Sequence, residues 1–393
     1  MSEYLLSGSI LCGEDFDPVE GYICIRDGTI AEICEEHGSV DAEEHGIIIP
    51  CFVNAHTHVG DSVLKDPEIT DIASLVRPPD GLKHRVLRET SVHDLVYAMR
   101  ASVCDMIATG TCAFADFREG GIRGVRALLQ AIDGIPVTAI ILGRPDDDVA
   151  EIDSILEDAG ADGIGISSTN DYEHGIAAAI RERTEKHGRI FAIHAGELDS
   201  TDISDALALD PDLLIHLTHA SAGDLRAVSE EDIPVVVCTQ SNLVTKVGLP
   251  PVEEMLAAEL VVAAGTDNVM FDSVDMFAEM RFLSSLFAID EREVLMMCTR
   301  AGAIALGLNC GTIEPGRDAK VMVLDTDSYN LAGATNILRS VVRRARASDV
   351  VFCSSGAGAH KNNELKRSST SKKRNVPPSH PEMLNQHFYG IKF

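Results

Sequence analysis

Residues 47–58 read IIIPCFVNAHTH, an apolar run that ends in two histidines separated by one residue. Side chains alternate between the two faces of a strand, so residues two apart point the same way. In a strand over this stretch, His56 and His58 therefore share one face. Two imidazoles at the end of a buried strand can hold one metal ion. The same sequence would also fit two polar residues at a strand end that merely contact water. The rest of the chain is needed to choose between these two interpretations.

This stretch is the first of eight similar units between residues 47 and 267. In each unit a short β-branched or apolar run ends in polar residues, and an amphipathic helical stretch follows. The later runs cover residues 110–117, 135–142, 163–167, 189–197, 213–219, 234–241 and 261–267. After the first, they recur roughly every 21 to 28 residues, about one strand plus one helix. Eight such units predict an α/β protein built on a parallel (β/α)8 TIM barrel, which typically needs about 250 residues.

The connections between these runs carry helix signals. In SVHDLVYAMRASVCDMIATG (91–110), Ser91 is a predicted N-cap, Asp94 follows three residues later, and Gly110 ends the helix. The connection 59–90 is long and contains RPPDGLKHR. We expect it to form a lid or binding loop over the mouth of the barrel.

The chain ends differ from the repeating part. Residues 1–49 and 309–350 contain short β segments separated by turn signals, and we expect them to pair into a small β-sandwich beside the barrel domain, residues 50–308. Residues 351–393 are polar and carry seven basic but only two acidic residues. They are predicted to be a disordered basic tail. If that tail replaces a closing strand, the sandwich keeps an unpaired edge.

Composition excludes several classes of function. The formal net charge is −29, so the body of the protein should repel nucleic acid and anionic membranes. Such acidity also suggests adaptation to high salt. No apolar run approaches the ~20 residues of a membrane span, and the N-terminus lacks the features of a signal peptide. The ten cysteines form no C-x-x-C pair, which predicts reduced thiols in the cytoplasm.

Functional residues of a (β/α)8 barrel lie at the C-terminal ends of its strands. The fifth run ends with His194 and Glu197, the sixth with His216 and His219, and the eighth with Asp267. Each alone could cap a helix or contact water. However, five of the fourteen histidines fall at the ends of the first, fifth and sixth runs. We therefore reject the purely structural explanation and predict a site.

These motifs resemble the amidohydrolase superfamily over residues 1–350, in the branch of cytosine deaminases, adenosylhomocysteine-type deaminases and triazine chlorohydrolases. The matching elements are H-T-H, H-A-G-E, H-L-T-H, G-T-D-N and the segment GTIEPGRDAKVMVLD. The resemblance implies one divalent metal ion bound by His56, His58, His194 and Asp267. Two-metal members often have a lysine at the end of strand four, but GIGISSTND has none. Zinc is the expected ion, and iron or manganese also suit such ligands.

The resemblance also implies a reaction, the hydrolytic deamination of an amino-substituted purine, pyrimidine or nucleoside-like ring. Metal-bound hydroxide would attack, Asp267 and His216 would orient it and take its proton, and Glu197 would protonate a ring nitrogen. The alternative is another hydrolase reaction, which displaces chloride or an alkylamine or opens a cyclic amide. A scaffold without activity is disfavoured because every ligand is present.

Other strand ends supply candidate substrate contacts, although each could also cap a helix or form a surface salt bridge. They are Arg118, Arg144, Asn170, Asp171, Ser241, Asn242, Asn268 and, with less support, His219. An arginine there could hold a carboxylate or phosphate. In the seventh run, Thr239 stands where many relatives carry proline. A small molecule is the expected partner, and the sequence leaves open both its identity and whether the protein forms a homo-oligomer.

Overall fold

The computed structural model describes residues 3–35, 41–68, 72–145, 149–355 and 359–361. Their strands are β1 (Glu3–Cys12), β2 (Asp17–Arg26), β3 (Thr29–Cys34), β4 (Glu44–Pro50), β5 (Phe52–Thr57), β6 (Thr111–Arg118), β7 (Thr138–Gly143), β8 (Gly163–Ile166), β9 (Ile190–Ala195), β10 (Leu213–His216), β11 (Val235–Val237), β12 (Val262–Ala264), β13 (Lys320–Leu324), β14 (Val350–Ser355) and β15 (Ala359–Lys361). They form one sheet of eight strands and one of seven.

The helices of the same ranges are α1 (Ile72–Val76), α2 (Leu82–Glu89), α3 (Val92–Ala108), α4 (Gly121–Ile132), α5 (Glu151–Asp153), α6 (Ile176–Lys186), α7 (Ile203–Leu207), α8 (Ala222–Glu230), α9 (Thr239–Thr245), α10 (Val252–Ala257), α11 (Met276–Leu286), α12 (Glu291–Cys298), α13 (Arg300–Ala305) and α14 (Ile337–Arg344). Shorter turns lie at Val59–Val63, Thr169–Asp171 and Ala347–Asp349 (3-10) and at Ser154–Asp158 (π). No helix in the described part of the chain is long and apolar enough to cross a membrane.

The eight-stranded sheet is the predicted barrel. Strands β5 to β12 follow one another in chain order, and neighbouring strands are parallel. A parallel bridge between Thr57 and Asp267 joins the two ends of the sheet. There, Asp267 N donates to the His56 carbonyl at 2.9 Å, and His58 N donates to the Asp267 carbonyl at 3.0 Å. The (β/α)8 prediction is confirmed, and this closing seam contains three candidate site residues.

Burial follows from the parallel arrangement. Helices cover the outside of the barrel, so its strands are buried on both faces, and all residues of β5 and β6 are buried. Helix α3 begins as predicted, because the Ser91 hydroxyl accepts a hydrogen bond from Asp94 N at 3.2 Å. Gly110 follows this helix with a φ of +87°. That left-handed backbone is what a glycine permits at little cost, and it turns the chain into β6.

The stretch 47–58 joins the two sheets. Residues 47–50 belong to β4, which pairs with β13 of the seven-stranded sheet. Cys51 N donates to the Lys320 carbonyl at 3.0 Å, and the barrel strand β5 starts at the next residue. One apolar run in the sequence is therefore two strands, because Pro50 has no N–H to continue a ladder and Cys51 lies between the sheets.

The two chain ends form one seven-stranded sheet with the order β15-β14-β13-β4-β1-β2-β3. Strands β1 and β4 are parallel and the other pairs are antiparallel. Buried apolar residues from both ends share a small core of their own, including Leu6, Ile23, Ile48, Val321 and Phe352. Both chain ends therefore contribute to one β unit, as the sequence predicts.

The C-terminal strands extend further than the boundary at residue 350 that the sequence suggests. Strand β14 pairs antiparallel with β13, and β15 pairs with β14. Residues 351–355 and 359–361 therefore belong to the sheet rather than to a tail. Phe352 and Cys353 of β14 are buried apolar residues, and the pairing of β15 with β14 needs only backbone groups. The rest of the predicted tail, residues 362–393, lies outside the described residues.

Candidate active site

Five candidate side chains meet at the C-terminal mouth of the barrel. His56 Nε2 lies 3.2 Å from Asp267 Oδ1 and 3.3 Å from His194 Nε2. His58 Nε2 lies 3.5 Å from the same Asp267 oxygen. His216 belongs to a second group with His56 and Asp267 whose ligand atoms all lie within 4.8 Å of one another. All five side chains are buried, so residues far apart in the chain form one polar cluster.

The imidazole nitrogens of this cluster are suited to a cation. His194 Nδ1 lies 2.9 Å from the Ile166 carbonyl and must donate to it, which leaves a lone pair on Nε2. His58 Nδ1 is likewise 2.9 Å from Glu119 Oε1. Burial lowers the pKa of His56 and His194, and lowers that of His58 to about 3, so these rings are neutral. Lone pairs directed at one another fit a divalent metal ion between them.

Asp267 is held in place by several contacts. Burial by itself would raise the pKa of its carboxyl group, but the hydrogen bond with His56 and the surrounding imidazoles keep that pKa well below its usual value. The Ser241 hydroxyl donates to Asp267 Oδ2 at 2.6 Å. Asp267 has a φ of +58° and His216 a φ of +78°. Both are disfavoured for residues with a side chain, and such strain concentrates at functional sites.

Close packing also fixes the segment that leads to Asp267. Asn54 on β5 donates to the Thr266 hydroxyl at 2.7 Å and accepts from Thr266 N at 3.0 Å. At Gly265, an added Cβ would lie 2.8 Å from both the Cβ and the N of His56. Only glycine lets the two strands approach this closely. The first and last barrel strands therefore hold His56 and Asp267 in register.

Glu197 follows β9 and faces the same space. Its Oε2 lies 3.8 Å from His216 Nε2, and desolvation raises the pKa of its carboxyl group. A carboxyl group with a raised pKa can act as a proton donor near neutral pH. The structure thus brings the predicted acid beside the predicted metal ligands.

The sequence reasoning missed a buried ionic cluster behind His58. Glu119 Oε1 lies 2.8 Å from Lys83 Nζ as well as contacting His58, and Glu119 Oε2 accepts from Arg118 Nη2 at 2.7 Å. Asp61 Oδ2 lies 3.3 Å from the same ammonium group, and burial raises the pKa of Asp61 to about 7. Glu119 directly follows a barrel strand, so the same strand-end criterion that selected His194 could also have selected Glu119. Lys83 lies on helix α2 and gave no such signal.

A cavity of about 350 Å³ opens over the cluster, which is within the size range of small-molecule sites. Part of the long connection 59–90 lines this cavity, which agrees with the expected binding loop. The wall contains Val76, Arg77, Pro78 and Lys83 from that connection, together with Arg144, Ser167, Asn170, Asp171, Glu197 and Asn268. The structure therefore places Arg144 and Asn170 where a substrate could contact them.

Four other predicted substrate contacts do not line this cavity, and one of them, Ser241, instead donates to Asp267. Arg118 is turned into the protein, where it pairs with Asp116 at 3.3 Å and with Glu119. His219 Nε2 lies 2.9 Å from the Val247 carbonyl on an exposed loop. Asn242 is buried and donates to the Thr218 hydroxyl at 2.8 Å. In each case the side chain is bound to another polar group of the protein, and sequence position alone does not reveal that partner.

Comparison with known proteins gives the family. The amidohydrolase family matches residues 47–356 of this chain. An uncharacterized protein of Methanocaldococcus jannaschii is 36% identical over 372 residues, 88% of this chain and 96% of that protein. A 5-methylthioadenosine/S-adenosylhomocysteine deaminase of Haloarcula marismortui is 27% identical over 397 residues, 89% of this chain and 90% of that protein. The chain belongs to the amidohydrolase family, as its motifs indicate.

A solved structure shows the same fold. It is an adenosine deaminase from Xanthomonas campestris with bound zinc, which superimposes with a TM-score of 0.77 at 16% identity. The match covers 93% of this chain and 97% of that one. At this identity the similarity establishes the architecture, namely the barrel together with its accessory sheet.

Proposed function

We propose that this protein is a metal-dependent hydrolytic deaminase of an amino-substituted purine, pyrimidine or nucleoside-like ring. The main observation in its favour is that Glu197 lines the same cavity as the clustered histidines and Asp267. Its Oε2 lies 3.8 Å from His216 Nε2. A carboxyl group there can protonate a ring nitrogen, which the cleavage of a simple amide does not require. The deaminase names of the Haloarcula relative and the Xanthomonas structure support this reaction.

His56, His58, His194 and Asp267 are the proposed ligands of one divalent ion. Zinc is the first choice, because three imidazole nitrogens with one carboxylate oxygen suit it and because the Xanthomonas structure contains zinc. The bound ion supplies a Lewis acid that makes water nucleophilic near neutral pH. All ten cysteines are free thiols, which supports the proposal that the enzyme works in the reducing cytoplasm.

The protein side chains carry the protons in this proposal. Asp267 accepts a proton from the attacking water, while His216 orients that water. Glu197 donates its proton to the ring nitrogen beside the attacked carbon, so that charge is neutralised where it develops. Glu197 then takes the proton of the new C–OH group, and the proton on Asp267 passes to the amino group. Ammonia leaves, and the ring keeps a carbonyl and one N–H.

The test is ammonia release by zinc-loaded protein from a panel of aminated bases, nucleosides and adenosyl thioethers. Glu197→Gln should lower the rate by about 100- to 10,000-fold, as expected for loss of a general acid, without changing the zinc content. Glu182→Gln is the control, because Glu182 is exposed and pairs with Lys186 on the surface of helix α6. Full deamination by Glu197→Gln would contradict the assigned role.

The same panel separates the alternative hydrolase reactions. Chlorinated triazines, N-alkylated triazines and cyclic amides are added to it, and chloride, alkylamine and ring-opened acid are measured. Turnover of one of these compounds without ammonia release from any aminated ring would replace deamination by the alternative reaction.

A further inference from the structure

A second cavity, of about 390 Å³, lies between helices α2, α3 and α4 and the end of strand β6. It shares no lining residue with the active-site cavity, and none of the proposed metal ligands contributes to its wall. Its volume falls within the range of small-molecule sites. The cavity is therefore a separate space that the proposed reaction does not use.

The charge of this wall is opposite in sign to that of the whole chain. The chain has 62 acidic and 33 basic residues. The wall of the second cavity has two carboxylates and four guanidinium groups, namely Glu119, Glu151, Arg88, Arg118, Arg123 and Arg126. A cavity lined by one sign of charge concentrates ligands of the other sign. The wall composition therefore favours an anionic ligand.

Three of these arginines contact only backbone carbonyls within the described part of the chain. Arg88 Nη1 donates to the Pro79 carbonyl at 2.8 Å, and Arg126 Nη2 lies 3.5 Å from the Asp158 carbonyl. Arg123 donates to two carbonyls at the end of helix α2. A guanidinium group has five N–H donors. Each of these side chains therefore keeps its positive charge and at least three donors for a ligand.

The two carboxylates of the wall are already engaged. Glu119 Oε2 accepts from Arg118 Nη2 at 2.7 Å. Its Oε1 is shared by Lys83 Nζ at 2.8 Å and His58 Nδ1 at 2.9 Å. Glu151 Oε1 accepts from a backbone N–H at the start of helix α4 at 3.4 Å. Neither carboxylate forms an ion pair with the three arginines described above, so the wall keeps an excess of positive charge.

The cavity also has an apolar part. Leu87, Leu95 and Met99 line it and are buried, whereas the three arginines are exposed. An apolar interior beside a cationic rim suits a ligand that has an apolar body and a strongly anionic group. A phosphate monoester carries about −1.5 to −2 charges at pH 7 and three acceptor oxygens. Guanidinium groups bind such an anion through paired N–H donors.

We propose that this cavity is a second ligand site, which binds a small organic phosphate monoester with its phosphate group at Arg88, Arg123 and Arg126. The organic part of the ligand packs on the buried apolar side chains. The site shares no residue with the proposed catalytic groups, so it does not depend on the deaminase reaction and can be tested without turnover.

The experiment uses phenyl phosphate, inorganic phosphate and phenol as probes. Each is titrated by calorimetry into the full-length, zinc-loaded protein at constant ionic strength. The variants are Arg88→Gln, Arg126→Gln and the double substitution, because each of these guanidinium groups has a single backbone contact among the described residues. Arg339→Gln is the charge-matched control, since Arg339 is 57% exposed and pairs with Glu291. Thermal unfolding and zinc content confirm that every variant folds and keeps its metal site.

In the wild type, phenyl phosphate should bind about 10-fold more tightly than inorganic phosphate, because its ring removes apolar surface from water. Phenol, which lacks the charge, should bind more weakly than either. Arg88→Gln and Arg126→Gln should each weaken phenyl phosphate binding by about 10-fold, as expected for lost hydrogen bonds to a charged group. The double variant should lose about 100-fold if the two contacts add, and Arg339→Gln should lose nothing.

Several results would overturn the second site. They are absence of phosphate binding to the wild type, equal binding by the wild type and the double variant, and equal affinity for phenyl phosphate and phenol. A further variant, Arg144→Gln, reports on the active-site cavity, which Arg144 lines. Binding that survives in the double variant but is lost in Arg144→Gln would place the anion in the active site and would also overturn the proposal. Ammonia release takes no part in these measurements, so failure of the deaminase assignment leaves them unaffected.

Discussion

Glu119 Oε1 lies 2.9 Å from His58 Nδ1 and so determines which nitrogen of that imidazole faces the site. The same oxygen is 2.8 Å from Lys83 Nζ. Burial would raise the pKa of Glu119, but the charge of Lys83 and the hydrogen bond with His58 hold it well below its usual value. A charged carboxylate behind a metal-binding histidine orients the ring and raises its basicity.

The first prediction is that Glu119→Gln weakens metal binding by about 10- to 100-fold, the usual effect of losing such a partner. The dissociation constant for zinc is measured by competition with a coloured chelator. Glu182→Gln, an exposed substitution of the same chemistry, should leave it unchanged. Equal zinc affinity in Glu119→Gln and the wild type would show that Glu119 serves only the ionic cluster with Lys83 and Arg118.

The second prediction concerns removal of the metal. Nε2 of His56 and Nε2 of His194 lie 3.3 Å apart beside the Asp267 carboxylate, an arrangement that a bound ion would hold together. Chelator treatment should therefore abolish activity and lower the Tm, because an ion present at 1,000 times its Kd stabilises the folded state by about 4 kcal/mol. Thermal unfolding with and without added zinc measures the effect. A Tm and an activity that both resist exhaustive chelation would exclude a metal enzyme.

The third prediction tests the Ser241 hydroxyl, which donates to Asp267 Oδ2 at 2.6 Å. Removing a donor from a carboxylate raises its pKa. Ser241→Ala should therefore move the acid limb of the kcat/KM profile to higher pH and lower kcat about 10-fold. Ser285→Ala, at an exposed position of α11, is the control. An unshifted acid limb would mean that the base is not Asp267.

The fourth prediction concerns the close approach at Gly265. A Cβ there would lie 2.8 Å from His56 N and Cβ, so Gly265→Ala must displace the strand that carries the first histidine. We expect a loss of about 1–3 kcal/mol in the free energy of unfolding, together with reduced zinc affinity.

The control for that substitution is Gly223→Ala in helix α8, where the nearest atom to the new Cβ is Ser221 Oγ at 3.5 Å. Alanine in a helix should be neutral or stabilising by about 0.5–1 kcal/mol. Urea unfolding measures both variants. Equal unfolding free energies and equal zinc affinities of Gly265→Ala and Gly223→Ala would contradict this prediction. They would show that the strands at the seam can move apart without cost.

The fifth prediction is a pH dependence of stability. Glu279 is buried and accepts from Thr239 N at 2.6 Å and Gln240 N at 3.1 Å at the start of α9. Burial raises the pKa of its carboxyl group from 4.5 to about 7. The folded state therefore binds more protons than the unfolded state between these values, and stability falls as pH rises through that window.

Glu279→Gln removes this titration. Its stability relative to the wild type should therefore increase by about 3 kcal/mol between pH 4.5 and pH 8, the equivalent of the pKa shift. Urea unfolding of zinc-loaded protein at pH 4.5, 6, 7 and 8 gives this difference, in which effects common to both proteins cancel. A constant difference across the series would show that Glu279 does not titrate in this range.

Local sequence patterns predicted a large part of this molecule. The eight barrel strands could be found because apolar runs recur with helical stretches between them. Strand-end position indicated a site at the mouth of the barrel, because parallel strands place their ends together. The resemblance to amidohydrolases then selected His56, His58, His194 and Asp267 as the expected metal ligands. The N-cap at Ser91 was equally local, since its hydroxyl reaches a backbone N–H only three residues away.

Other features depended on partners that are distant in the sequence. Arg118 ends one barrel strand and Arg144 follows the next, yet Arg118 is turned inward by Asp116 and Glu119 while Arg144 faces the cavity. Strand β14 pairs with β13 and buries Phe352, although the polar residues that follow it suggested the beginning of a tail. The neighbouring residues in the sequence did not show which arginine would be paired or where the sheet would end.

The sequence by itself determined the barrel, because the spacing of apolar runs is a property of short segments. Its motifs, which are equally local, indicated the family and the set of candidate metal ligands. Only the tertiary structure decided which charges became paired. It placed Glu119 between His58 and Lys83, brought Glu197 to 3.8 Å from His216, and turned Arg118 towards Asp116 while Arg144 lines the cavity. Electrostatic interactions act between side chains that folding brings together, so their partners can be identified only in the folded protein.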